Sequence, residues 1–235
     1  MEERQEYVND CGSIPESKLE GNKITEVVFV LDASGSMHGL ESDTLGGVNS
    51  ILEKQRKEQK GDTVYVSTVI FNTKSRVIHD RVPLEKVQPL SECDYTVGGC
   101  TALYDAVGAS MRHISDIHRY ARKEDVPEKT LFVIMTDGME NASRRFSRRD
   151  VKDMIERRQA RGWEFLFLAA NMDAACTASD IGIAPERAVD WHADGESVHV
   201  LYECVSECVT RTRGREKYSR EAFMAADEDY QNKRK

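Results

Sequence analysis

Three separated stretches of this 235-residue chain carry oxygen side chains that can converge on one point. The first is Asp32-Ala33-Ser34-Gly35-Ser36. The second is Thr101, approached through Gly98-Gly99-Cys100, and the third is Asp137 within Thr136-Asp137-Gly138. Asp32, Ser34, Ser36, Thr101 and Asp137 together offer carboxylates and hydroxyls but no imidazole or thiolate. That donor set suits a hard divalent cation, Mg2+ first and Ca2+ or Mn2+ after it. Magnesium keeps several waters and asks for few protein ligands. Gly35 is expected to allow the tight backbone that aims both serines inward. The competing reading is a serine-rich turn that caps a helix, so the elements around the three stretches must decide.

Those elements alternate. Val27-Val28-Phe29-Val30-Leu31 is a continuous apolar run, short enough for a strand buried on both faces, and it ends at Asp32. Leu45, Val48, Ile51 and Leu52 recur at helical spacing before Gly61. Val64 to Phe71 and Arg76 to Val82 read as strands, and the short Asn72-Thr73-Lys74 link predicts an antiparallel hairpin. Residues 83 to 100 read as a loop, followed by a long helix with Leu103, Ala106, Val107, Met111, Ile114 and Ile117 on one side. Leu131 to Met135 is a further strand that ends at Asp137's turn. A helix around Val151 to Ile155, a strand at Phe165 to Ala169, a short helix near Ala174 to Ile181, a strand near Ala188 to Trp191 and a helix through Val198 to Val209 complete the pattern. Strands alternating with helices predict an α/β fold: a doubly wound, mostly parallel six-stranded sheet with one antiparallel edge strand. Ligands of such a sheet bind outside the carboxyl ends of the strands, where all three oxygen-bearing stretches fall. Residues 1–22 read as a flexible arm, 23–212 as one domain and 213–235 as a charged tail in which Ala222 to Asp229 has the pattern of a short helix.

With these contexts in place, Asp-x-Ser-x-Ser, the later loop threonine and the later strand-end aspartate resemble the metal-ion-dependent adhesion site (MIDAS) of von Willebrand factor type A domains. The resemblance extends over about residues 24–212. It is nearest to solitary bacterial and phage-type members, through wording such as Gly-Leu-Glu-Ser-Asp-Thr at 39–44 and Asp-Gly-Met-Glu-Asn-Ala-Ser at 137–143. It implies a Rossmann-like fold in which Ser34, Ser36 and Thr101 coordinate through neutral hydroxyls while Asp32 and Asp137 act mostly through bound waters. It also implies that a partner's Glu or Asp completes the metal's shell.

Composition narrows the alternatives. The formal net charge is −8, which argues against general nucleic-acid binding, since that needs a basic face. No apolar stretch is long enough to span a bilayer, and the opening Met1-Glu2-Glu3-Arg4-Gln5-Glu6 lacks the layout of a secretion signal, so a cytoplasmic protein is expected. Cysteines at 11, 93, 100, 176, 204 and 208 form neither a zinc pattern nor a disulfide framework, and Cys204 and Cys208 share a helical face as buried free thiols.

Several neighbours of the cation-binding pattern have ordinary readings. His38 is expected as a solvent-facing loop residue and Asp43 as helix-start charge. Glu140 and Asn141 read as polar residues capping the next helix, although they sit close enough to Asp137 to orient a water or touch a ligand. Arg144, Arg145, Arg148 and Arg149 read as a solvated helix start with mixed pairs, or less simply as a clamp for an anion. Asn171-Met172-Asp173 either caps the following helix or widens the recognition surface. Trp163 and Trp191 read as packing residues.

The function expected is a divalent-cation-dependent protein-binding module. The alternatives are a metal-dependent hydrolase and an adaptor subunit of an ATPase, as in chelatase-type complexes. No second metal set and no nucleophile paired with a base is visible for the first, and no P-loop for the second to hold its own nucleotide. The partner's identity and the oligomeric state are not written in the sequence.

Overall fold

The computed structural model describes residues 23–58, 61–170, 172–192, 195–216 and 220–233. The expected arm at 1–22, Cys11 and Asn171 lie outside them. Strand β1 (Ile24–Asp32) leads into helix α1 (Glu41–Lys57), and β2 (Thr63–Phe71) turns back into β3 (Ser75–Pro83). Helix α2 (Leu103–Tyr120), β4 (Lys129–Thr136), α3 (Arg148–Gln159), β5 (Trp163–Ala170), α4 (Ala174–Asp180), β6 (Ala188–Trp191) and α5 (Gly195–Arg213) follow. The six strands lie in the order β3-β2-β1-β4-β5-β6. All neighbours are parallel except β2 and β3, whose hairpin closes through Asn72 N–H to the Lys74 carbonyl at 3.0 Å. This is the expected sheet with its antiparallel edge.

The apolar run in β1 is explained by two-sided burial. Every residue from Ile24 to Asp32 is buried. Val27, Phe29 and Leu31 face one core with α1 and α5, while Val28 and Val30 face a second core with α2, α3 and α4. Helices α1 and α5 pack so closely that a Cβ on Gly47 would lie 2.0 Å from the Tyr202 ring. Trp163 stacks on Phe132 at 5.4 Å between ring centroids, and Trp191 is fully buried, so both are packing residues. The edge strand β3 is irregular: its register against β2 shifts on both sides of Thr68, and Arg81 adopts a positive φ of 48°.

Helix α5 runs one residue past the expected boundary at 212. Arg213 belongs to α5, and its buried guanidinium bonds Asp62 through Nε at 2.8 Å and the Gln55 carbonyl at 2.7 Å. Beyond it, a 3-10 turn at Arg220–Phe223 leads into α6 (Met224–Lys233). Phe223 and Ala226 join the α1/α5 core. Helix α6 packs along β6, where the His192 and Tyr230 rings stack at 4.6 Å and Arg220 takes the Ala188 carbonyl. The segment is rich in charge and Phe223 is its one large fully buried apolar side chain among the described residues, which is why composition alone suggests a tail. Phe223→Ala is expected to cost about 3–5 kcal/mol of stability, read as a lowered midpoint in chemical denaturation. An unchanged midpoint would separate the segment from the domain.

Candidate cation site at the carboxyl rim

The crossovers from β1 and β4 leave in opposite directions. The β1–α1–β2 connection runs toward one edge of the sheet, and the β4–α3–β5 connection runs toward the other. A crevice therefore opens between the ends of these adjacent parallel strands, the usual ligand position in such sheets. Asp32 ends β1 and Asp137 follows the last residue of β4. Backbone bonds bring the other loops in: Gly35 N–H to the Gly99 carbonyl at 3.1 Å, Gly98 N–H to the Ala33 carbonyl at 2.9 Å, and Ala102 N–H to the Asn72 carbonyl at 2.9 Å. Gly99 has φ +79°, a conformation that favours glycine. Gly35 is different from expectation. It lies in a 3-10 turn (Gly35–Met37) without a positive φ, and a Cβ there would make only an ordinary 3.5 Å contact.

All five expected side chains meet at this crevice. The Ser34 and Ser36 hydroxyls are 3.2 Å apart, and Ser36 Oγ donates to Asp137 Oδ1 at 2.6 Å. Asp32 accepts the Ser34 N–H at 2.7 Å and the Thr136 hydroxyl at 2.6 Å. The hydroxyls of the cluster converge beside Gly138. A Cβ placed there would lie 3.0 Å from Thr101 Oγ1, 3.1 Å from Ser36 Oγ and 3.6 Å from Ser34 Oγ. Glycine keeps that position empty of side chain.

The electrostatics are unusual for so enclosed a place. Asp32 is 0 % exposed and Asp137 4 %, and among the described residues neither is paired with a cationic side chain. Asp137 Oδ2 is buried without a hydrogen-bond partner. Burial raises the pKa of both carboxyls. At Asp32 the charge of Asp137 adds to it, while bonds from Thr136 and Ser34 oppose it; at Asp137 the Ser36 hydroxyl opposes it. Two buried carboxylates, an orphaned oxygen and three converging hydroxyls fit a hard cation. No group of three His, Cys, Asp or Glu suited to a metal occurs among the described residues, so hydroxyls are essential to any such fit.

Amide and carboxylate side chains tie the Thr101 stretch to the loop that follows Asp137. Asn141 Oδ1 accepts the Thr101 N–H at 2.9 Å, and the Thr101 carbonyl accepts from Asn141 and Ala142. Glu140 accepts the Tyr104, Ala142 and Ser143 N–H groups at 3.0, 2.9 and 2.7 Å. Glu140 and Asn141 therefore organise the start of α2 behind them, not the helix ahead as expected. Asp105 accepts the N–H groups of Arg144, Arg145 and Phe146; its partial burial opposes ionisation, but these donors hold its pKa below the usual carboxylate range. His38 points to solvent and pairs with Glu41 at 3.1 Å, Asp43 lies in the first turn of α1, and Asp173 caps α4 through the Cys176 N–H. Thr136, Gly138 and Tyr95, whose hydroxyl donates to the Asp32 carbonyl, are contributors that sequence reasoning did not assign. Thr136 and Gly138 stood beside a recognised aspartate, whereas nothing marked Tyr95.

This strand order is that of a von Willebrand factor type A domain, and the chain belongs to that family: the profile described as "VWA domain containing CoxE-like protein" matches residues 18–209. Comparison with curated proteins gave no match. Among solved structures, the vWF domain of the type V pili tip protein Mfa5 from Porphyromonas gingivalis is 9% identical with a TM-score of 0.60, over 84% of this chain and 99% of that one. Proximal thread matrix protein 1 from the mussel byssus, in a structure described as having a zinc-occupied MIDAS motif, is 14% identical with a TM-score of 0.54. That alignment covers 80% of this chain and 46% of that one. The pilus adhesin SpaC from Lactobacillus rhamnosus GG is 13% identical with a TM-score of 0.58, over 80% and 30%. The chain thus spans less than half the length of the matrix protein and the adhesin, and at these identities the likeness is one of fold. Among the described residues no helix is long and apolar enough to cross a membrane.

A carboxyl whose pKa is raised by folding costs stability once pH exceeds that raised value, and costs nothing below its unfolded value. In chelator, Asp137→Asn is therefore expected to be more stable than the parent at neutral pH, with the difference shrinking as pH falls through the carboxylate range. Thermal melts of both proteins at a series of pH values check this. A constant difference would show that Asp137 carries no burial cost.

Proposed function

We propose that the rim holds one Mg2+ ion and presents it to a Glu or Asp side chain of a protein partner. Ser34, Ser36 and Thr101 would bind through their hydroxyls, with Asp32 and Asp137 acting mostly through bound waters. The observation that carries the reading is the position beside Gly138, surrounded by three hydroxyls and lying next to a buried carboxylate with an unpartnered oxygen. When bound, the ion supplies Lewis acidity toward an incoming carboxylate, because the ligands that touch it directly are neutral hydroxyls and waters. The matrix protein described with zinc in this motif supports a divalent cation at such a rim. Met139, 75 % exposed directly after Gly138, supports a binding face, since a large apolar side chain beside a polar centre is typical of recognition surfaces. The same reading makes the chain a binding module instead of an enzyme, with an adaptor role beside an ATPase as a special case. It also sets the protein in the cytoplasm, in keeping with the free state of Cys93, Cys100, Cys176, Cys204 and Cys208.

Calorimetric titration with Mg2+ tests the site. Asp137→Ala and Gly138→Ala are each expected to weaken binding by at least about tenfold, a loss of about 1.4 kcal/mol, while circular dichroism shows the fold intact. Gly138 has no positive φ, so alanine there fills the position without straining the backbone. Unchanged Mg2+ affinity in both variants would remove the basis for the reading. Capture of a partner from native extract in Mg2+, lost in chelator, tests the second half.

A further inference from the structure

The basic cluster on the same rim remains unabsorbed. Arg144, Arg145, Arg148 and Arg149 fall within six residues of a chain whose net charge is −8, and all four are exposed. Arg148 pairs with Asp180 at 2.8 Å, while among the described residues Arg144, Arg145 and Arg149 make no ion pair. Arg148 and Arg149 open α3 at the positive pole of its dipole, where the capping-box carboxylate of Asp150 and the Arg148–Asp180 pair offset part of the charge. Arg144 and Arg145 sit beside the start of α2, the second positive pole on this rim. Their backbone N–H groups are bound by Asp105 at 2.9 and 2.8 Å, so the loop is fixed while the side chains are left to solvent. Asp105 is in turn four residues beyond Thr101, one of the three hydroxyls around the open position.

We infer that the partner presents a short acidic segment: one carboxylate meets the cation and carboxylates a few residues away along the segment are taken by Arg144 and Arg145. The inference rests on the cation-binding reading and specifies its partner. The loop that carries Arg144 and Arg145 is bonded to the Thr101 carbonyl through the Asn141 and Ala142 N–H groups, and an extended segment advances about 3.3 Å per residue, so acids flanking the central one are offered to the same stretch of rim. Arginine's planar donor fork matches carboxylates in pairs, and a fixed loop lowers the ordering cost of the contact. The exposed positive charge of Arg144 and Arg145 gains a partner when that segment docks.

Fluorescence anisotropy with short labelled peptides and the full chain in saturating Mg2+ tests this. One peptide carries a single central Glu among Ser, Gly and Gln, and the other adds Asp residues on both flanks. The acidic peptide is expected to bind about tenfold tighter. Arg144→Gln/Arg145→Gln should abolish that gain and raised salt should shrink it, with Mg2+ affinity unchanged in the variant. Equal binding of the two peptides, a gain that survives the double substitution, or equally tight binding of an oligonucleotide of matched charge overturns the inference. If calorimetry shows no Mg2+ binding by the wild type, the cation reading has failed; if Mg2+ binds and the peptides do not differ, only the acidic segment has.

Discussion

Two buried carboxylates that share one crevice, without a basic partner among the described residues, set the terms for this rim. Asp32 and Asp137 lie at the ends of adjacent parallel strands, and the sheet's change of winding direction between β1 and β4 brings them together. Charge removed from water without compensation is costly, and the surrounding bonds from Ser34, Ser36 and Thr136 offset only part of that cost. The arrangement persists because the two interlocked cores on either side of β1 fix the strand ends wherever they fall. A rigid scaffold thus carries a local conflict that a bound cation would relieve, the usual relation between a stable fold and a strained site.

The third hydroxyl shows how much depends on contacts outside the strands. Thr101 comes from a loop after the antiparallel hairpin, and it is held by Asn141 across the crevice and by the glycine-rich approach against the first loop. Glu140 and Asp105 then exchange carboxylate-to-backbone bonds between the β4 loop and the start of α2. The loops on the rim are consequently one bonded unit. The solved relatives, at 9–14% identity, share the sheet beneath such loops, which leaves recognition to what each chain displays above it.

Much of this was legible in the residues. Periodicity marked the strands and most helices because two-sided burial demands apolar runs in β1, β4 and β5, while one-sided burial gives α2 its stripe. The oxygen-bearing stretches were visible because each directly follows a strand or a glycine turn. What escaped was non-local. Phe223 docks a segment whose composition reads as solvated, and Glu140 caps a helix behind it in sequence. The glycine that matters most for space is Gly138, not Gly35, since only the assembled loops show which one faces the hydroxyls. Spacing along a chain reports which face a residue takes, and it is silent on which distant residue stands opposite.

The two margins of the sheet are handled in unlike ways. β3 is interrupted on both sides of Thr68, and β6 has α6 lying along it. An open, regular margin would invite another chain to add a strand, the route to uncontrolled stacking. Here one margin is misshapen and the other is occupied, so the sheet is finite by construction. On the proposed function, strand addition at either margin would not compete with a partner on the rim.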